Sequence, residues 1–207
     1  MNYRVWMLLW LLGLPGWAAA ASCSLLIVGD SLSSGYGLAN GSGWVDQLAA
    51  RLKKKAPDWR VVNASVSGDT TQNGLQRLKP ALDRHHPQGV LIGLGGNDAL
   101  RGTPPDVIRQ NLVAMIRQAR AAGAWVALLE APVLPNYGKS YADTVAKLYA
   151  DLAREEKVTR VPCFVCAAGV KPGMMQADGI HPNEKAQAAM LDAVWPHIQP
   201  KLRCPAK

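Results

Sequence analysis

Beyond its first two dozen residues the chain alternates short, continuous apolar runs with longer stretches in which apolar residues recur every three or four positions. The runs cover 25–28, 60–64, 89–94 and 125–129, with a shorter fifth near 158–162. Between them Trp44, Leu48 and Leu52 fall at helical spacing, as do Leu75, Leu78 and Leu82, and then Ile108, Leu112, Met115 and Ile116. Pro104 and Pro105 mark the start of the third of these helices, and Gly123 closes it before the fourth strand. A final helix is expected from about 183 to 197. Strand and helix in strict alternation predict a parallel sheet covered by helices, and each apolar stripe is read as core.

The first residues do not fit that alternation. Arg4 gives a positive start, an apolar stretch follows to Leu14, and Ala18 to Ala21 supply small residues for a peptidase, so residues 1–21 read as a signal peptide. Gly13, Pro15 and Gly16 interrupt the stretch, which falls short of the ~20 residues that span a bilayer. Residues 22–207 then form one domain, since about 186 residues suit a single full core and no linker divides them. The protein is expected to be periplasmic or secreted. The competing expectation is lipidation of Cys23, against which stand Ala20 at its third upstream position and the lack of any tether before the first strand.

Charge changes the picture little. The formal +8 is scattered except for the Arg51 to Lys55 cluster, which reads as a solvated helix face. Nucleic-acid binding would need a basic stripe interleaved with aromatics, so no nucleic-acid partner is expected, and contact with a membrane surface is at most transient. The four cysteines Cys23, Cys163, Cys166 and Cys204 suit an oxidising compartment and allow three pairings. Cys23 with Cys204 and Cys163 with Cys166 is the expected set. Read instead as a redox pair, Cys163 and Cys166 do not open a helix after an early strand, and they lack the companions of a zinc site.

Candidate chemistry sits where the runs end. Ser31 directly follows the first run, at the edge where parallel α/β proteins place their sites. Asp30 beside it could simply cap backbone donors. Of His85, His86, His181 and His197, only His181 lies in a Gly- and Pro-punctuated loop, and Asp178 stands three residues earlier, close enough to hold its ring. Gly68 and Asn97 follow the second and third runs and converge on the Ser31 edge. With the Ser31 amide they would donate three hydrogen bonds to an oxyanion, glycine allowing close backbone approach and the amide adding no titratable charge. No Gly-x-Ser-x-Gly elbow is present, which excludes an α/β-hydrolase of the lipase type, and no Gly-x-Gly-x-x-Gly supports a nucleotide loop.

Four blocks carry Ser, Gly, Asn and His in that order: GDSLS (29–33), SGDT (67–70), GGND (95–98) and DGIHP (178–182). In them the chain resembles the SGNH or GDSL hydrolases. The stretches VVNASVSGDTTQNGLQRL (61–78), LGGNDALRG (94–102), LPNYG (134–138) and MMQADGIHPN (174–183) look like the exported bacterial group known as thioesterase I, lysophospholipase or arylesterase. The resemblance implies an α/β fold, a flavodoxin-like three-layer α/β/α sandwich with a central parallel sheet. It further implies a catalytic set of Ser31, His181 and Asp178, an oxyanion hole of Ser31, Gly68 and Asn97, and no metal or organic cofactor. Ala99 departs from the family's usual glycine, and the leucine and proline before LPNYG are displaced by one position.

The expectation is an exported, monomeric serine esterase that hydrolyses acyl esters and thioesters through an acyl-enzyme on Ser31. Its rivals are a carbohydrate O-acetylesterase on the same fold, which would want a shallow polar site, and a non-catalytic envelope binding protein.

Overall fold

Each apolar run forms a strand in the structure, a computed structural model that describes residues 23–133, 137–166 and 171–204. The expected signal peptide and residues 134–136 of the LPNYG stretch lie outside the described residues. The strands are β1 (Cys23–Gly29), β2 (Trp59–Asn63), β3 (Gly89–Gly93), β4 (Trp125–Leu129) and β5 (Thr159–Val161). All pair in parallel in the order β2-β1-β3-β4-β5. Between them run the one-turn α1 (Ser31–Ser34), α2 (Trp44–Lys55), α3 (Thr71–His85), the short α4 (Gly96–Leu100), α5 (Pro105–Ala121) and α6 (Lys139–Glu155). The 3₁₀ turn Glu184–Ala186 leads into α7 (Gln187–Ile198), so the last helix begins a few residues later than its apolar pattern suggests.

Strand alternation divides the core cleanly. Leu25, Ile27, Leu91, Ala127 and Leu129 face α2 and α7, packing on Trp44, Leu48, Met190 and Val194. Leu26, Val28, Val90, Ile92, Val126 and Leu128 face α3, α5 and α6. Burial on both faces is why these strands read as unbroken apolar runs. All seven residues of β1 are buried, and burying each large apolar side chain contributes roughly 1.5–3 kcal/mol. The sheet therefore presents rigid strand ends to whatever follows them.

The apolar pattern missed α6. Its Val145, Tyr149 and Leu152 are fully buried against the sheet, at a helical spacing the sequence reading did not group. Both expected disulfides form: Cys23 to Cys204, with Cα atoms 5.9 Å apart, and Cys163 to Cys166, at 5.4 Å. With its sulfur so engaged, Cys23 offers no thiol to a lipid. No helix among the described residues is long and apolar enough to cross a membrane.

Candidate active site

In the observed strand order β1 lies between β2 and β3, so the connections leaving the carboxyl ends of β1 and β3 diverge and open a crevice. The register aligns Gly29 with Gly93. Ser31 and Asn97 thus emerge side by side from adjacent strand ends. Asp30 is the N-cap of α1: its Oδ1 accepts from the Leu32 amide at 3.0 Å, and its carbonyl accepts from the Ser33 and Ser34 amides. The cap fixes Ser31 at the first helical position. Trp44 Nε1 donates to the Leu32 carbonyl at 3.0 Å, tying the turn to the buried start of α2.

His181 arrives from the far side on the loop between residue 171 and the last helix. Its Nδ1 lies 2.7 Å from Asp178 Oδ2 and its Nε2 2.8 Å from Ser31 Oγ. The carboxylate fixes the tautomer: Nδ1–H donates to Asp178, which leaves the Nε2 lone pair to accept from the serine hydroxyl. Asp178 Oδ1 also accepts from the amides of His181, at 3.0 Å, and Ile180, at 2.9 Å. The His181 amide and ring, then the Ile180 amide, lower the Asp178 pKa to about 2, so it is an anion at any neutral pH.

The loop itself has little apolar packing and is held by side-chain amides. Gln176 Nε2 donates to the carbonyls of Tyr36 (3.0 Å) and Pro182 (3.2 Å). Asn183 Nδ2 donates to those of Gly173 and Met175. Buried Gln187 donates to the carbonyls of Pro182 and Asn183 while accepting from the Trp44 amide. Tyr36 lies against the His181 ring, with centroids 4.8 Å apart.

On the other flank Gly95, at φ 119°, turns the chain from β3 into α4, and a Cβ there would collide with the Tyr149 hydroxyl. That hydroxyl donates to the Leu94 carbonyl. Asn97 Nδ2 donates one hydrogen to the Asp69 carbonyl at 3.0 Å. Its other contact, a donation to Asp30 Oδ2, is long at 3.4 Å. Asp98, fully buried, accepts from the Thr71 amide (2.8 Å) and hydroxyl (2.6 Å), joining α4 to the start of α3.

A cleft of about 420 Å³ opens over Ser31, with Asn97 and His181 in its walls and Leu32, Leu100, Val133 and Ile180 among its apolar lining. Gly68 does not line it. It stands in the adjoining exposed loop at φ 83°, linked to the site through Asp69 and through Ser67, whose hydroxyl lies 2.8 Å from that of Ser34. Among the described residues no group of three or more His, Cys, Asp or Glu is placed to hold a metal ion.

The sequence pattern does not single out Gln176, Asn183, Gln187 or Tyr36. Their partners lie up to 143 residues away, and only the amide pair flanking DGIHP hints at them. For Asp30, the capping role named from the sequence is present, but its burial beside Asn97 was not visible there.

A five-stranded parallel sheet with a Ser–His–Asp constellation at its carboxyl edge defines a serine hydrolase. The chain belongs to the GDSL-like lipase/acylhydrolase family, whose model matches residues 27–189. It is 48% identical over 183 residues to the esterase TesA of Pseudomonas aeruginosa, covering 88% of this chain and 91% of that protein. To the thioesterase 1/protease 1/lysophospholipase L1 of Escherichia coli K12 it is 42% identical over 182 residues, covering 88% and 86%. A crystal structure of TesA superposes with a TM-score of 0.84 at 48% identity, covering 87% of this chain and 99% of that one.

Proposed function

We propose that this protein is an exported esterase and thioesterase that cleaves acyl esters through an acyl-enzyme on Ser31. The observation that carries the reading is the unbroken relay from Asp178 to His181 to Ser31, at 2.7 and 2.8 Å. His181 Nε2 takes the hydroxyl proton as Ser31 Oγ attacks the acyl carbonyl, and Asp178 stabilises the imidazolium that results. The oxyanion is held by the amides of Ser31 and Gly68 and by Asn97 Nδ2. Collapse expels the alcohol or thiol, which leaves with the proton returned from His181. Water from solvent, deprotonated by the same nitrogen, then attacks the acyl-enzyme, frees the carboxylic acid and restores the serine.

Substrate class follows from the walls. Leucine, valine and isoleucine around Ser31 suit an acyl chain, and they disfavour a carbohydrate O-acetylesterase, which would need polar partners for a sugar. The E. coli relative's name spans thioesters and lysophospholipids, and that of the Pseudomonas relative esters, which supports the same range here. No resident metal or cofactor takes part. The expected signal peptide and the two disulfides support action outside the cytoplasm.

A fluorophosphonate should label Ser31 stoichiometrically in the wild type, located by peptide mass spectrometry. Ser31→Ala should neither label nor turn over a nitrophenyl acyl ester while unfolding at the wild-type temperature. Full activity in that variant would remove Ser31 as nucleophile.

A further inference from the structure

We infer that Arg101 is a positioning residue for the oxyanion hole, a guanidinium latch that fixes the Gly68 peptide against the helix carrying Asn97. The inference rests on the catalytic reading above. Arg101 caps the carboxyl end of α4, its own amide bonded to the carbonyls of Asn97 and Asp98. It is exposed, and among the described residues it forms no ion pair; its Nη2 instead donates to the Gly68 carbonyl at 3.1 Å. An exposed arginine bonded to a distant backbone carbonyl, in place of an acidic neighbour, points to a geometric task.

The need for that task is written in the loop. Gly68 has φ 83°, and the space where a Cβ would stand is empty to 4 Å, so packing does not hold this peptide. Glycine also has the widest backbone freedom of any residue. The residues around it are tied down: Ser67 to Ser34, Val66 to the Gly29 carbonyl, and Asp69 both to Arg77 and, through its carbonyl, to Asn97. The Asp69 amide closes a turn over Gly68 onto the Val66 carbonyl at 3.2 Å, and among the described residues the Gly68 carbonyl, on the peptide that follows the proposed donor amide, is held by Arg101. Two of the three proposed oxyanion donors, the Gly68 amide and the Asn97 side chain, come from different loops. Arg101 ties the loop of one to the helix of the other, so their spacing is set before substrate arrives. Preorganised donors stabilise charge that develops only in the transition state, so losing the latch should lower kcat and spare KM.

Arg101→Ala and Arg101→Met, the second keeping an apolar stem, should be assayed with a neutral nitrophenyl acyl ester beside the wild type and Ser31→Ala. Each arginine variant should lose about 5–20-fold in kcat, the lower part of what a hydrogen bond to a charged group contributes because this guanidinium is exposed, with KM within about twofold and an unchanged thermal midpoint. Millimolar guanidinium at constant ionic strength should restore part of the loss in Arg101→Ala and leave the wild type unaffected. Fluorophosphonate labelling should slow in proportion to kcat. Wild-type kcat in both variants would overturn the assignment, as would a loss confined to KM or one that tracks a lowered thermal midpoint without rescue. Failure of the catalytic reading itself would appear separately, as activity persisting in Ser31→Ala.

Discussion

The two flanks of the site are built by opposite means. Ser31 and Asn97 stand at the ends of β1 and β3, strands whose side chains are almost wholly removed from water, and they inherit the rigidity of the sheet. His181 and Asp178 stand on a loop placed by the amides of Gln176, Asn183 and Gln187 and by few apolar contacts. Core packing holds one flank, where disturbance costs global stability. Hydrogen bonds worth roughly 0.5–1.5 kcal/mol each hold the other, which can loosen while the fold persists.

That contrast is sharpened most by Asn97→Ala. The variant leaves the relay intact and removes a donor from the rigid flank, so kcat should fall on the order of 10²–10³-fold with little change in KM or unfolding temperature. Near-native turnover would take Asn97 out of the oxyanion hole and reduce it to a turn residue.

On the loop flank Gln176→Ala removes both donations from Nε2, to Tyr36 and Pro182. A loss of about tenfold in kcat/KM is expected. Amide hydrogen exchange should quicken across 176–183 and stay unchanged in β1. Exchange that rises equally in both regions would erase the distinction between them.

A third contrast lies in the pH dependence of stability, where one aspartate from each flank titrates with opposite sign. Asp30 is buried, and desolvation raises its pKa from 3.8 to about 6, outweighing the Leu32 amide and the nearby His181. A raised carboxyl favours folding below its unfolded value of ~3.9, and that contribution is lost as pH climbs through about 6. By pH 7 the ionised Asp30 costs about 2–3 kcal/mol. In urea unfolding, Asp30→Asn should therefore gain on the wild type by about that amount between pH 4 and pH 7. Asp178 behaves inversely: its lowered pKa contributes stability above ~3.9 that is lost as pH falls towards about 2. The wild type should lose its advantage over Asp178→Asn across that acid range. Stability differences that do not move with pH would contradict both placements.

Much of this architecture was legible because the strands are buried on both faces and so appear as unbroken apolar runs, each ending at a block of small and polar residues. The order of elements followed, and with it the edge on which Ser31, Asn97 and His181 gather. Helix α6 escaped because Val145, Tyr149 and Leu152, the residues of its buried face, were not grouped into a stripe of their own. The one-turn α1 and α4 escaped for a different reason, being too short to carry a period. Least legible were the contacts that hold the loops. Nothing in sequence pairs Arg101 with the Gly68 carbonyl or Gln176 with that of Tyr36, since each bond joins a side chain to a distant backbone that exists as a partner only once the sheet has formed.

The bond between Cys23 and Cys204 joins the first strand to the last described turn across a separation of 181 residues. Topologically the described fold is a ring. One proteolytic nick in any surface loop within that span leaves a single covalent molecule, and two pieces part only after reduction. The same closure makes the protein a natural candidate for circular permutation, because Cys23 and Cys204 are already joined and new ends can be opened in a loop far from Ser31.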